Sequence, residues 1–209
     1  METSKARENI MNRIRQALNN PVPLPFPLRQ GSELSFTGRM EDEEVMFAEA
    51  FTKLQGKFAF CTGVADLEIQ LISLFEERAW TKIYCPDPAI RALLQGANIS
   101  LHDDLATCDV SLTGCEYLVA RTGSMVLSSK QAEGRTASVY APVHICIAYS
   151  RQVVYDITDA LRFMQEKYKG QFPSMISFAA GPSRTADIEK TLVTGVHGPK
   201  EVYCFLVEE

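Results

Sequence analysis

A chain of 209 residues with 46% hydrophobic and 22% charged side chains has the apolar content for a packed core, which excludes wholesale disorder. Its 21 Lys and Arg stand against 26 Asp and Glu, a formal net charge of −5, and a net-negative chain repels a phosphate backbone, so nucleic acid is a poor partner. No run reaches the ~18 consecutive apolar residues of a membrane span.

The polar start, Met1-Glu2-Thr3-Ser4-Lys5, has no apolar secretory core, and the expected location is the cytoplasm. Ile10, Ile14 and Leu18 then recur at spacings of four, with Met11 and Ala17 beside them, which predicts a helix over residues 4–19. Pro21, Pro23, Pro25 and Pro27 alternate with Val22, Leu24, Phe26 and Leu28. Proline fixes φ and removes the amide donor, so this is an extended arm. It reads equally as a plain linker or as a strip laid on a groove, on its own body or on a neighbour in a homo-oligomer. Residues 1–40 are therefore an appendage, and residues 41–209 one α/β domain.

In that domain Asp42–Leu54 predicts a helix with Phe47, Phe51 and Leu54 on one face and Gly56 as its stop. Lys57–Cys61 is a short apolar run, and Asp66–Trp80 a helix with Asp66 as candidate cap. Lys82–Cys85 is a strand, Pro88–Gln95 a helix with Pro in its first position, and Ile99–His102 a further candidate strand. Tyr117–Ala120 and Met125–Ser128 form a strand pair around Arg121-Thr122-Gly123-Ser124. His144–Tyr149 is a strand, Ile157–Tyr168 a helix, Ser174–Ala180 a strand, Thr185–Val193 a helix and Val202–Val207 a final strand. Strands separated by helices argue for βαβ units and a mainly parallel sheet. The run His144-Ile145-Cys146-Ile147-Ala148 is apolar on both faces, as a sheet covered on both sides requires.

The six cysteines lie far apart with no CxxC pair, so they read as buried apolar residues and not as a zinc or iron–sulfur motif. Cys115, after Thr113-Gly114, is the one to test for reactivity. Three scattered histidines make no metal site, and His144 reads as a satisfied core residue, the alternative being that it lines a cleft with Arg135.

The chemistry-bearing stretch is Gly181-Pro182-Ser183-Arg184-Thr185-Ala186-Asp187-Ile188-Glu189, between a predicted strand and a predicted helix. A helix start offers unpaired amides and the positive end of the dipole to an anion. Ser183 and Thr185 add hydroxyls, and Arg184 a guanidinium fork. Capping alone explains some of these residues, but not an Arg between two hydroxyls behind Gly181-Pro182. His197, in Gly195-Val196-His197-Gly198-Pro199, is either an acid–base group or a histidine that pins its turn. Thr113-Gly114 and Arg121-Thr122-Gly123-Ser124 offer further amides and hydroxyls to the same pocket, or supply only glycine conformations.

The runs Gly181–Glu189 and Gly195–Pro199, with Thr122-Gly123-Ser124, the stretch from Arg135 to Pro142, and His144-Ile145, closely resemble the LUD-domain family, in its LutC/YkgG type. The resemblance covers roughly residues 40–209. It implies a three-layer α/β/α sandwich with a mainly parallel sheet, similar to the NagB/RpiA/CoA-transferase-like fold. It also implies a part in oxidising L-lactate to pyruvate beside partner proteins that carry iron–sulfur clusters, with no cofactor in this chain. The family brings no agreed catalytic residues, so the motif positions serve only as a ligand-site expectation. One departure is Arg121-Thr122-Gly123-Ser124, where members commonly have Glu-Thr-Gly-Thr. The alternative that the fold group implies is a stand-alone isomerase, transferase or ligase acting on a phosphorylated or acyl-CoA substrate, with His197 or Glu189 as acid or base.

Overall fold

The computed structural model describes residues 5–19, 42–133, 136–185 and 193–209. The chain divides into two compact units, Met1–Gly38 and Arg39–Glu209. In the first, the four-residue spacing produces helix α1 (Lys5–Asn19), on which Ile10, Met11 and Ile14 are exposed. The proline arm lies outside the described residues.

The second unit opens with α2 (Glu43–Lys53). Asp42 caps it by accepting from the Glu44 amide, and Phe47 and Phe51, one turn apart, are fully buried with stacked rings. Gly56 is not the conformational stop; Gln55 takes the positive φ of 69°. Gly56 is required for closeness instead, because a Cβ there would stand 2.3 Å from the Phe51 ring. Strand β1 (Lys57–Cys61) follows, then α3 (Val64–Arg78). Asp66 is not the cap of α3. Gly63 holds that position, and Asp66 reaches back from the first turn to accept from the Thr62 amide. Strand β2 (Ile83–Tyr84) leads through Asp87, whose carboxylate accepts from the Ala89 and Ile90 amides, into α4 (Pro88–Gly96). Strands β3 (Leu101–His102) and β4 (Val110–Thr113) complete this half.

Next come β5 (Tyr117–Val119), β6 (Ser124–Ser128), the short helix α5 (Ala137–Tyr140) and β7 (Val143–Tyr149). Then follow β8 (Val153–Val154), α6 (Ile157–Tyr168), β9 (Ile176–Ala179), β10 (Arg184–Thr185), β11 (Val193–Thr194) and β12 (Glu201–Val207). Six strands, in the order β1-β12-β7-β4-β2-β3, form one sheet in which every pair is parallel. The expected α/β class with a mainly parallel sheet is what forms.

Alternation along β7 and β12 divides the core in two. Ile145, Ile147 and Phe205 face Leu67 and Leu71 of α3 and Ile90 and Leu94 of α4. Cys146, Ala148, Cys204 and Leu206 face Phe47 and Phe51 of α2 together with Leu118, Met125 and Leu127. The layer on this second face thus contains a smaller sheet, in the order β8-β5-β6-β9. The expected hairpin is present as the antiparallel pair β5–β6, but it and the strand after α6 belong to this smaller sheet. Its outer side, Val119 and Val126, is covered by Ala160 and Met164 of α6. No helix among the described residues is long and apolar enough to cross a membrane.

Beyond Gly56 and Asp66, the second unit departs from expectation at two further places. Strand β4 is not anticipated by the sequence, because Val-Ser-Leu-Thr is only a short run and half of it is polar. Its polar side is buried all the same: the Ser111 hydroxyl donates to the Ala137 carbonyl at 2.5 Å, and Thr113 is hydrogen-bonded to His144 Nε2 at 2.8 Å. The helix expected over Thr185–Val193 is also overturned at both ends. Arg184 and Thr185 are strand residues paired antiparallel with Thr194 and Val193. The Ser183 amide donates to the Pro199 carbonyl, and the Gly195 amide to the Ser183 carbonyl, each at 3.0 Å. These bonds hold Ser183–Thr185 in extended form, where the expected helix was to begin. Residues 186–192 lie outside the described residues.

Candidate functional site

In a parallel sheet every strand delivers its carboxyl end to one edge, where the following loops diverge and leave a crevice. A cleft of about 540 Å³ lies at that edge. Asp87 and Ala89, after β2, line it with Gly114, Cys115 and Glu116, after β4. Tyr149 and Arg151 from the end of β7, Lys130 after β6, and Lys167 and Tyr168 from the last turn of α6 complete the wall.

The floor is stapled by Gln152, whose amide donates to the Cys115 carbonyl at 2.6 Å and accepts from the Tyr149 amide at 2.9 Å. Gly114 has no positive φ, and a Cβ there would approach nothing closer than Asp87 Oδ2 at 3.6 Å. Its lack of a side chain leaves room beside Asp87.

Glu116 is the unusual residue of the site, a carboxylate with only 3% of its surface exposed. It accepts from Ser128 Oγ at 2.6 Å, from Lys167 Nζ at 2.7 Å and from Tyr168 Oη at 2.7 Å. Burial opposes its charge, but the hydrogen bonds from Lys167, Ser128 and Tyr168 outweigh that, and the carboxyl sits below its ordinary value. Lys167 answers in kind. Partial burial works against its charge, the contact with Glu116 prevails, and its ammonium is held above the ordinary value. His144 behaves in the opposite way: burial pushes it down to about 4, and it stays a neutral core residue as expected.

The structure separates the residues that the sequence grouped. Thr113 and Gly114 lie at the end of β4, and Gly114 reaches the cleft. Arg121, Thr122, Gly123 and Ser124 form a tight turn against α2 instead. Arg121 is ion-paired with Asp156, the cap of α6. Gly123 has φ +59°, and a Cβ there would stand 2.5 Å from the Phe51 nitrogen. Thr122 Oγ1 is buried there without a hydrogen-bond partner among the described residues.

Gly181 packs against Leu54 at the end of α2, and Arg184 donates to the Leu54 carbonyl. That guanidinium therefore serves the negative end of a helix, and the mouth of a new helix is absent at Ser183–Thr185. Arg184→Ala is expected to cost ~0.5–1 kcal/mol through loss of this helix-end contact, read as a lower urea midpoint at unchanged slope. A midpoint equal to wild type would remove the contact's role.

His197 is exposed in a separate hollow with Tyr140, Pro142 and Lys200, at the amino ends of β7 and β12. The seven-residue β7 puts roughly 20 Å between that hollow and the cleft. His197 therefore shares no site with Gly114. Glu189 lies outside the described residues.

Glu116, Lys130, Arg151, Lys167 and Tyr168 were missed. The available signal was an acid inside the otherwise apolar run Cys115-Glu116-Tyr117-Leu118-Val119. A lone charge in such a run is buried only when it is paired.

Fold and cleft together define a parallel-sheet α/β protein with a polar ligand-sized crevice at the carboxyl edge. The family model for the LUD domain matches residues 68–207, and the chain belongs to the LUD domain family. Lactate utilization protein C of Shouchella clausii is 37% identical over 100 residues, which are 47% of this chain and 43% of that protein. The chain thus spans less than half of that relative in the matched stretch. Lactate utilization protein C of Deinococcus radiodurans is 26% identical over 218 residues, covering 98% of this chain and 97% of that one. A crystal structure of a DUF162 family protein from Deinococcus radiodurans superposes with a TM-score of 0.60 at 18% identity, over 79% of this chain and 96% of that one, and shows the shared fold.

Proposed function

We propose that this chain serves lactate utilisation in the cytoplasm, binding an anionic ligand in the carboxyl-edge cleft and leaving electron transfer to iron–sulfur partner proteins. The names of its relatives support the pathway. The observation that carries the ligand site is the convergence of Lys130, Arg151 and Lys167 on one cleft. Its two acids are both committed to internal hydrogen bonds, Asp87 as the cap of α4 and Glu116 to its three donors. The reading that this chain lends no cluster of its own is supported by its cysteines. All six are free and buried, with Cys61 and Cys85 in one core, Cys115, Cys146 and Cys204 in the other, and Cys108 in a small separate cluster with Tyr84 and Ala137.

The test is genetic and direct. A bacterium deleted for its lactate utilization protein C is supplied with this chain and grown on L-lactate. Wild type is expected to restore growth, and the charge-reversed Lys130→Glu/Arg151→Glu double variant to fail at equal protein level. Equal growth with both would refute the cleft as the working site.

A further inference from the structure

We infer that the cleft receives a nucleoside phosphate and not a free three-carbon acid, with Lys130 and Arg151 taking the phosphates and the tyrosine wall taking the ring. This rests on the cleft being the ligand site, as proposed above. Size is the first argument. A three-carbon hydroxy acid has roughly the bulk of six waters, about 180 Å³ at ~30 Å³ each. The cleft holds about 540 Å³, within the ~300–1,000 Å³ range of sites for larger ligands.

Charge is the second argument. Lys167 is engaged by Glu116. Lys130 is exposed at the rim, and no ion pair joins it among the described residues. Arg151 already holds an oxyanion of this chain: its guanidinium is ion-paired with the Glu209 carboxylate while lying 4.9 Å from the Tyr149 ring centroid. A rim guanidinium that lies over an aromatic ring and is occupied by a carboxylate is arranged to grip an anion. A phosphate that displaced Glu209 would meet Arg151 and Lys130 from the same cleft. Shape is the third argument. Tyr117, Tyr149 and Tyr168 line the wall, with Arg151 over the Tyr149 ring and Lys167 over the Tyr168 ring, and a base added to this wall gains aromatic and cation contacts that a lactate molecule has no means to use.

The experiment is calorimetric titration of the full chain with ADP, pyrophosphate, inorganic phosphate, L-lactate and pyruvate. ADP is expected to bind at least tenfold tighter than pyrophosphate, and pyrophosphate tighter than either three-carbon acid. Lys130→Ala and Arg151→Ala, both at exposed positions, are each expected to weaken ADP about tenfold. Glu209→Gln is expected to tighten it several-fold by removing the competing carboxylate. ADP binding no tighter than pyrophosphate would overturn the inference, as would ADP affinity unchanged in both cation variants. If L-lactate or pyruvate binds instead, with the same dependence on Lys130, the nucleotide falls while the cleft remains the ligand site. If none binds, both readings fall.

Discussion

Replacing Lys167 by methionine is expected to cost about 2 kcal/mol at neutral pH, and the cost should shrink in acid. The Glu116 side chain is 1% exposed and the Lys167 side chain 54%, so the two partners do not lose equally when the pair is broken. Removing the lysine strands a buried carboxylate with Ser128 and Tyr168 as its remaining donors. Breaking a fully buried pair in this way costs ~3–5 kcal/mol, and the half-exposed lysine lowers that figure because water already screens it. In the wild-type fold the Glu116 carboxyl lies below its ordinary value. Its contribution is therefore present above the unfolded value, near ~4.3, and is lost as pH falls through the folded value. Without Lys167 the burial contribution weighs more, and the carboxyl moves upward. Protonation then relieves the variant first, so its deficit narrows toward pH 4.5. Lys167 is held above its ordinary value, so its side of the pair persists through neutral pH and fades only as pH rises through the folded lysine value. Urea unfolding at pH 7.5 and 4.5 checks this; an equal gap at both would show that the pair carries no charge-dependent stability. Glu116→Gln should cost less, about 1 kcal/mol, because Lys167 can turn to solvent.

Gly123→Ala is expected to be the most damaging of the small substitutions, at ~3–5 kcal/mol. The residue has φ +59°, and an added Cβ would lie 2.5 Å from the Phe51 nitrogen and 2.6 Å from the Ala50 carbonyl carbon. A left-handed backbone alone costs a non-glycine residue roughly 1–2 kcal/mol. The remainder is steric, because the neighbours are backbone atoms of α2 and move only if the whole helix shifts and draws Phe47 and Phe51 out of their core. Gly170→Ala is the control. Its φ is +86° with nothing within 4 Å, so only the conformational part, about 1 kcal/mol, applies. Denaturant midpoints of the two variants should differ by at least twofold in lost stability. Near-equal losses would show that α2 yields to the methyl group. The close approach of Gly123 to the α2 backbone seats that helix.

Most of the parallel sheet was legible because its determinants are local. Runs such as Val143–Tyr149 and Glu201–Val207 are buried on both faces, and composition alone reveals that. The helices announced themselves through four-residue spacing, as at Phe47 and Phe51, and through Pro88 in the first position of α4, whereas the one expected cap, Asp66, sits inside α3. The stretch at Ser183–Thr185 misled because hydroxyls behind a Gly-Pro step signal a helix start only when no strand partner competes. Here the partner is Val193–Thr194, and Pro199 supplies a further clip. The cue for β4 was masked by Ser111 and Thr113, whose burial depends on acceptors in α5 and β7.

The amino-acid sequence by itself determined the α/β class, the core face of α2 and the family, since these depend on periodicity and on contiguous residues. Tertiary structure alone decided the site. Glu116 meets Lys167 across 51 positions, and Arg151 meets Glu209 across the sheet edge. No local pattern encodes such pairings, because they arise only when parallel strands carry distant loops to the same end of one sheet.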